Sequence, residues 1–409
     1  MTKRPQMPRL RFFEQSPGQR HIVGTDRYLY ERDAPAHRIS VIGTGTIGQE
    51  HMRVSALTGR SVVHGIYDSA PQSIEVALQN YAELCDEVPK VFDSLEAICR
   101  DPGSDALFIC TPNHTHIDIL RAALHSGKPI FVEKPMATTL EDALEMVRLA
   151  ESYQSFIQIG LQYRYKAPYV EARHEALERG VLGDIKTISM CEYRPAFLDK
   201  VDQWNKFSRH SGGTLVEKCC HYFDLMNLFA GSRAERVYAS AGQAVNFVDF
   251  EYAGERSDID DHAFVVIDFA NGVRANFTLN MFCPNFHEEL VLTGPMGKLK
   301  ATESFDFLND SRAKSKVCID HPEPLASRSI DVGYPETVES SGHHGATWFE
   351  HLAFYDRLEG REVDSATPLE GLWSVLVASA AQRSARVGQP VLIRELLEEY
   401  GIDIASIEE

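Results

Sequence analysis

A strand-like run, Arg38-Ile39-Ser40-Val41-Ile42, breaks into Gly43-Thr44-Gly45-Thr46-Ile47-Gly48, and an acid, Asp68, ends the next apolar run 20 positions after Gly48. This stretch constrains the chain more than any other. Strand, glycine-rich turn, opening helix and distant acid are the parts of a dinucleotide-binding fingerprint. Each glycine has a distinct task. Gly43 permits the tight turn, Gly45 lets the backbone approach a pyrophosphate, and Gly48 lets helix and strand pack closely. Thr46 and Ile47 open the helix, whose free N–H groups and positive dipole end suit phosphate. Asp68 suits the ribose hydroxyls and repels a 2′-phosphate, so the expected cofactor is NAD, with NADP disfavoured.

The 409 residues are enough for two domains with full cores. A formal net charge of −18 argues against nucleic-acid partners, which need a clustered basic face. No apolar run approaches the ~18 residues of a membrane helix, and the basic N-terminus lacks the apolar core of a signal peptide. Eight cysteines without paired or regular spacing read as reduced, mostly buried thiols of a cytoplasmic protein. No metal site is expected. Consecutive Cys219, Cys220 and His221 diverge by about 100° per residue on a helix and cannot close on one ion.

The chain divides into an N-terminal arm (1–37), a doubly wound parallel domain (38–160), a second α/β domain (161–368) and a closing helix and tail (369–409) packing back on the first domain. Strand-like runs at 38–42, 62–67, 106–110 and 130–132 alternate with helical patterns, as parallel crossovers require. After about residue 184 the strands lengthen and alternate apolar with polar, which suits a large, mostly antiparallel open sheet with one covered face. Asn271-Gly272 and Gly294-Pro295-Met296-Gly297 mark turns, 215–229 reads as one helix, and 304–345 reads as loop-rich.

Candidate chemistry gathers at three places. Thr111-Pro112-Asn113-His114-Thr115-His116 and Phe131-Val132-Glu133-Lys134-Pro135 each end a buried strand, at the rim where open parallel sheets bind ligands. Thr111, Pro112, Asn113, His116, Glu133 and Lys134 are therefore candidates for the nicotinamide side, although His114 and His116 can equally cap the following helix. Lys134 at a strand end can also be an ordinary surface lysine. Pro135 points to a fixed peptide that aims the lysine, cis being one form of it. The third place is Gly212-Gly213-Thr214 through Asp224. Glu217, His221 and Asp224 share one face of a helix at i, i+4 and i+7. A histidine there can take a proton from an alcohol near neutral pH. Glu217 can orient it or bind a hydroxyl, or it can close a capping box with Thr214. His221 can also be a satisfied core histidine.

These motifs, in this order and with Gln162-Tyr163-Arg164-Tyr165-Lys166-Ala167-Pro168 between them, resemble the Gfo/Idh/MocA family of glucose–fructose oxidoreductases and inositol dehydrogenases, over about residues 38–390. The resemblance implies an N-terminal Rossmann domain and a C-terminal α/β domain whose open sheet forms the subunit interface. It implies that Lys134 and His221 match the family's catalytic lysine and histidine, and that substrates are sugars, polyols or their derivatives. Glu217 stands where the family often has Asp, and Cys219 where it often has Gly. Both departures bear on the substrate more than on the reaction.

The expectation is an NAD-dependent oxidation of a secondary alcohol on a cyclic polyol or sugar, with His221 as base, Lys134 assisting and Glu217 beside them. Two rivals use the same fold: glycoside cleavage or epimerisation through a 3-keto sugar with NAD recycled internally, and a non-enzymatic NAD-binding sensor. Tyr163, Arg164, Tyr193, Asp202, Trp204, Asn205, His343 and His344 are the candidate substrate contacts, since a sugar calls for an aromatic platform ringed by a few polar groups. Trp204 can alternatively pack a domain interface, and one of the paired histidines can cap the helix near Trp348. The exposed face of the second sheet is expected to be covered in a homodimer or homotetramer.

Overall fold

A computed structural model describes residues 35–306, 310–323 and 326–407. Most of the expected N-terminal arm, residues 1–34, lies outside the described residues. The chain forms two compact units. One holds the residues up to Glu133 together with 149–162 and 334–367; the other holds 134–148, 163–333 and everything from Pro368 on.

The first unit begins with β1 (His37–Ile42), α1 (Thr46–Thr58), β2 (Ser61–Tyr67), α2 (Pro71–Tyr81), β3 (Lys90–Val91), α3 (Leu95–Arg100), β4 (Ala106–Ile109), α4 (His116–Ala123) and β5 (Ile130–Glu133). After α5 (Leu140–Glu151), β6 (Ile157–Gly160) completes a six-stranded sheet in the order β3-β2-β1-β4-β5-β6. Every pairing is parallel. The strand order reverses beside β1, which puts the glycine turn at the switch point of a doubly wound sheet. β4 and β5 are buried at every residue, as strands covered on both faces must be. α3 starts on a side-chain cap: the Ser94 hydroxyl accepts from the Ala97 N–H at 3.2 Å.

The second unit contains α6 (Ala167–Arg173), β7 (Thr187–Tyr193), α7 (Ser208–Ser211), α8 (Thr214–Glu217), α9 (Cys220–Ala230) and β8 (Ala234–Gly242). A small ribbon of β9 (Glu251–Tyr252) and β10 (Glu255–Arg256) follows. β11 (His262–Phe269), β12 (Arg274–Asn280), β13 (Phe286–Gly294), β14 (Gly297–Asp306), β15 (Asp310–Asp320) and β16 (Arg328–Val332) complete the strands of the main body. The chain then returns to the first unit as α10 (Glu336–Glu339) and α11 (Ala346–Leu358), and to the second as α12 (Pro368–Val387), β17 (Val391–Leu392) and α13 (Ile393–Glu398). The second unit's sheet has nine strands in the order β16-β15-β14-β13-β7-β12-β11-β8-β17, antiparallel except where β7 meets β12. Both expected hairpins form: Asp268 pairs with Arg274 across Asn271-Gly272, and Gly294 with Gly297 across Pro295-Met296.

The structure differs from the sequence reading of the strands and domain limits in several places. Residues 304–345 carry two strands, β15 and β16, which sequence patterning misses because β15 opens on small and charged residues and only residues 317–319 are apolar. α11 belongs with the first unit: Phe354 meets Phe108 edge-on at 4.9 Å, and Trp348 packs with Val54 and Leu57. The tail after residue 368 belongs with the second unit, because Val391 and Leu392 pair with Val237 and Arg236 of β8. In each case a nonlocal partner decides.

Candidate functional site

In the first unit the glycine turn has the shape a dinucleotide needs. A Cβ on Gly48 would lie 1.9 Å from the Gly43 carbonyl oxygen, so helix and turn pass at a distance only glycine allows. Gly43 has φ +93°, and a Cβ there would meet the Cys110 carbonyl at 2.7 Å. Gly45, by contrast, faces open space, which leaves its backbone accessible to a ligand. No side chain caps α1, so the N–H groups behind Thr46 and Ile47 are not consumed by a cap. Asp68 is held in place: one carboxylate oxygen accepts from the Thr44 N–H at 2.7 Å, the other from the Ala70 N–H at 2.8 Å. The first oxygen also accepts from the Thr44 hydroxyl at 3.2 Å, so it is the oxygen facing Ala70 that keeps a lone pair for a ribose hydroxyl. These residues fit NAD.

The rim loop after β4 is braced internally. Thr115 donates to the Pro112 carbonyl at 2.7 Å, Asn113 is buried, and a His116 ring nitrogen lies 3.0 Å from the Thr111 carbonyl. His116 thus ties the loop to its helix.

Glu133 ends β5 in a buried polar chain. Its carboxylate is 2.7 Å from His51 of α1, whose other ring nitrogen is 2.7 Å from His351 of α11. His351 continues to the Tyr355 hydroxyl at 2.9 Å. Burial, and then the neighbouring His51, push His351 well below the usual histidine pKa, so its ring stays neutral. Sequence reading missed this chain, because His51 and His351 lie on helices 300 positions apart.

In the second unit Lys134 meets the segment that carries His221. The Lys134–Pro135 peptide is cis. The Lys134 ammonium donates to the Glu217 carbonyl at 3.1 Å and lies 3.7 Å from the Glu217 carboxylate. The expected capping box does not form. The Thr214 hydroxyl donates to the Asp260 carbonyl, and Gly213 takes the cap position. Nor is 215–229 one helix: it breaks at Lys218–Cys219 between α8 and α9. Glu217 is thereby turned to Lys134 instead of to its own helix end.

His221, 2 % exposed, stacks on Tyr163 with ring centroids 4.0 Å apart and planes 9° from parallel. The Tyr163 hydroxyl accepts from Lys218, whose ammonium also lies 3.2 Å from Glu192 of β7. Behind the stack, buried Lys166 is paired with Glu288 and, at 2.6 Å, with Glu303. Burial opposes the Lys166 charge, but the two carboxylates overcome it, and its pKa rises above the ordinary lysine value.

Several candidate substrate contacts are committed elsewhere. Tyr163 is covered by His221 on one face, with Lys166 and Lys218 within 4.3 and 4.6 Å of its ring centre. Arg164 is 6 % exposed, holds Asp224 through two hydrogen bonds of 2.7 and 2.6 Å, and adds Glu370 at 2.8 Å. Burial works against that guanidinium, yet Asp224 and then Glu370 hold its pKa above the usual value. Asn205 is buried and donates to the Leu198 carbonyl at 2.9 Å. Tyr193 projects to the face of β7 opposite Glu192, away from Lys218. Asp202 is exposed, with left-handed backbone (φ 52°), and accepts from Tyr252. His343 lies 2.7 Å from the buried carboxylate of Glu50. Trp204 and His344 are half-buried and remain candidates. Lys218, Lys166 and Glu192 were given no role from the sequence, where lone charges carry no sign of burial. Among the described residues no group of three or more His, Cys, Asp or Glu could hold a metal ion, and no helix is long and apolar enough to cross a membrane.

Two family descriptions match this chain. Residues 37–161 match the Gfo/Idh/MocA oxidoreductase family's NAD-binding Rossmann fold, and residues 174–393 match its C-terminal alpha/beta domain. Myo-inositol 2-dehydrogenase of Thermotoga maritima is 23% identical over 366 residues, covering 88% of this chain and 99% of that protein. The NAD(+)-dependent scyllo-inositol 2-dehydrogenase of Bacillus subtilis is 25% identical over 356 residues, covering 87% and 95%. Among solved structures, levoglucosan dehydrogenase in complex with NADH and levoglucosan superposes with a TM-score of 0.72 at 20% identity, covering 87% of this chain and 99% of the other. That likeness speaks for the fold.

Proposed function

The chain belongs to the Gfo/Idh/MocA oxidoreductase family, with its NAD-binding Rossmann fold and C-terminal domain, and from that premise we propose that it oxidises a secondary alcohol of a cyclic polyol or sugar. One observation carries the assignment to particular residues. The Lys134 ammonium rests on the backbone of Glu217, four residues before His221, so the lysine and the segment bearing the histidine come together. That contact favours catalysis over a sensor, which has no need to join them. Inositol dehydrogenases among the relatives point to the same substrate class.

NAD, held by Gly43, Gly45, Gly48 and Asp68, supplies the hydride acceptor. His221 takes the hydroxyl proton. Lys134 donates a hydrogen bond to the same oxygen and offsets the negative charge that develops as the proton leaves. The Glu217 carboxylate, 3.7 Å from the ammonium, directs it. Trp204 and His344 are the proposed sugar contacts.

A panel of inositols, pyranoses and anhydrosugars with NAD or NADP, followed by absorbance of the reduced cofactor, tests this reading. Reduction of NAD by a polyol or sugar is expected, with kcat/KM for NAD above that for NADP because Asp68 repels the 2′-phosphate. Sugar conversion without net NADH would favour internal recycling, and preference for NADP would remove the role given to Asp68.

The reading includes a cytoplasmic location, supported by eight free cysteines, and a homo-oligomer. Tyr238, Phe264 and Val266 stand exposed side by side on β8 and β11, Val266 pairing with Tyr238. Light scattering is expected to give a dimer or tetramer. A mass near 45.9 kDa at micromolar concentration would rule the oligomer out.

A further inference from the structure

The stack behind His221 is built from residues that local sequence does not connect. Tyr163 follows β6, Lys218 sits at the break between α8 and α9, and Glu192 lies on β7. Their contacts form one line. Glu192 holds the Lys218 ammonium at 3.2 Å, Lys218 donates to the Tyr163 hydroxyl at 2.5 Å, and the Tyr163 ring lies flat against the His221 imidazole at 4.0 Å. Tyr222 closes the side of the Tyr163 ring edge-on at 5.6 Å and 87°. An imidazole has two free torsions, and a general base works only when its lone pair points at the proton it removes. A parallel ring at van der Waals distance fixes the imidazole plane. A pinned hydroxyl fixes that ring in turn.

We propose that Tyr163 and Lys218 are positioning residues for His221: the Tyr163 ring sets the plane of the imidazole, and Lys218, anchored on Glu192, locks the Tyr163 ring through its hydroxyl. The inference rests on His221 being the base. Tyr163 therefore acts behind the histidine and not as a sugar platform. The same stack serves the product of proton transfer, because an imidazolium gains from the face of an electron-rich ring.

The test is a double-mutant cycle on the full-length enzyme with its best polyol or sugar substrate and NAD. Tyr163→Leu removes the stack and is expected to lower kcat about 10–100-fold, the scale of misorienting a reacting group. KM for the alcohol and the NADH dissociation constant, read by NADH fluorescence, should stay within about twofold, because Tyr163 touches neither ligand in this assignment. Tyr163→Phe keeps the ring and loses only the lock, so its kcat should fall by about three- to tenfold. Lys218→Met should match Tyr163→Phe, and the two combined should be no worse than either, since both break one contact. Lys218→Arg keeps the donor and should retain kcat within about twofold. Lys218→Met leaves Glu192 buried without its ammonium, so thermal melts accompany each variant. Tyr163→Phe and Lys218→Arg carry the test if Lys218→Met does not fold. Unimpaired kcat in Tyr163→Leu, or additive losses in Tyr163→Phe and Lys218→Met, overturns the proposal. His221→Ala is the control on the underlying reading. If it keeps turnover, the base assignment falls and this inference with it. If it is inactive while Tyr163→Leu is normal, only the positioning role falls.

Discussion

Replacing His221 or Lys134 by alanine is expected to lower kcat by about 10²–10⁴-fold, the usual cost of losing a general base or a preorganised donor. NADH should still bind, because Gly43, Gly45, Gly48 and Asp68, which hold the cofactor in this reading, are unchanged in both variants. Steady-state kinetics with NADH binding by fluorescence measures both. Near-normal turnover in either variant would remove that residue from the mechanism. Glu217→Gln refines the result. A capping glutamate would be replaced by glutamine with little loss of activity, since glutamine serves the same box. Here Thr214 has spent its hydroxyl on the Asp260 carbonyl, and the Glu217 carboxylate lies 3.7 Å from the Lys134 ammonium. Glu217→Gln is therefore expected to lower kcat with the melting temperature nearly unchanged.

Arg164→Met is expected to destabilise the protein by about 3–5 kcal/mol, the cost of stranding a buried charge when its partner is removed. The charge that loses its bidentate partner is Asp224, 2 % exposed and held through both oxygens by the guanidinium. Urea or thermal unfolding reads the effect. The sequence reading of Arg164 as a hand on the substrate makes a different forecast: a raised KM in a protein of ordinary stability. A normal melting temperature with a large KM increase would restore that role and remove the brace. Asp224→Asn should be milder, since Glu370 remains on the guanidinium at 2.8 Å.

The line between what is legible in the sequence and what is not runs along the range of the interactions. Gly43, Gly48 and Asp68 could be read because their constraint is local: a turn with no room for a Cβ, then an acid at the end of the neighbouring strand. The Asn271-Gly272 hairpin was equally plain, since the turn itself demands left-handed backbone, and Gly272 has φ +91°. Lys134 could be placed because a parallel strand presents its C-terminal end at the binding rim whatever surrounds it. Tyr163 and Arg164 sit in a recognisable segment, yet their partners were not legible there. One is stacked on a histidine from α9, and the other is spent on an aspartate one turn further along that helix. Neither partner is implied by local pattern.

The sequence by itself therefore determined the parts whose geometry is settled within a few residues: the nucleotide turn, the alternation of strand and helix, the strand-end lysine and the histidine segment. Only the tertiary structure decided how those parts are used. It turned Glu217 toward Lys134 by engaging Thr214 elsewhere, joined α11 to the first unit through Phe354, and set Tyr163, Lys218 and Glu192 in line behind His221. The physical reason is burial. A charged or aromatic side chain taken out of water needs a partner, and the fold supplies that partner from strands and helices far away in the chain.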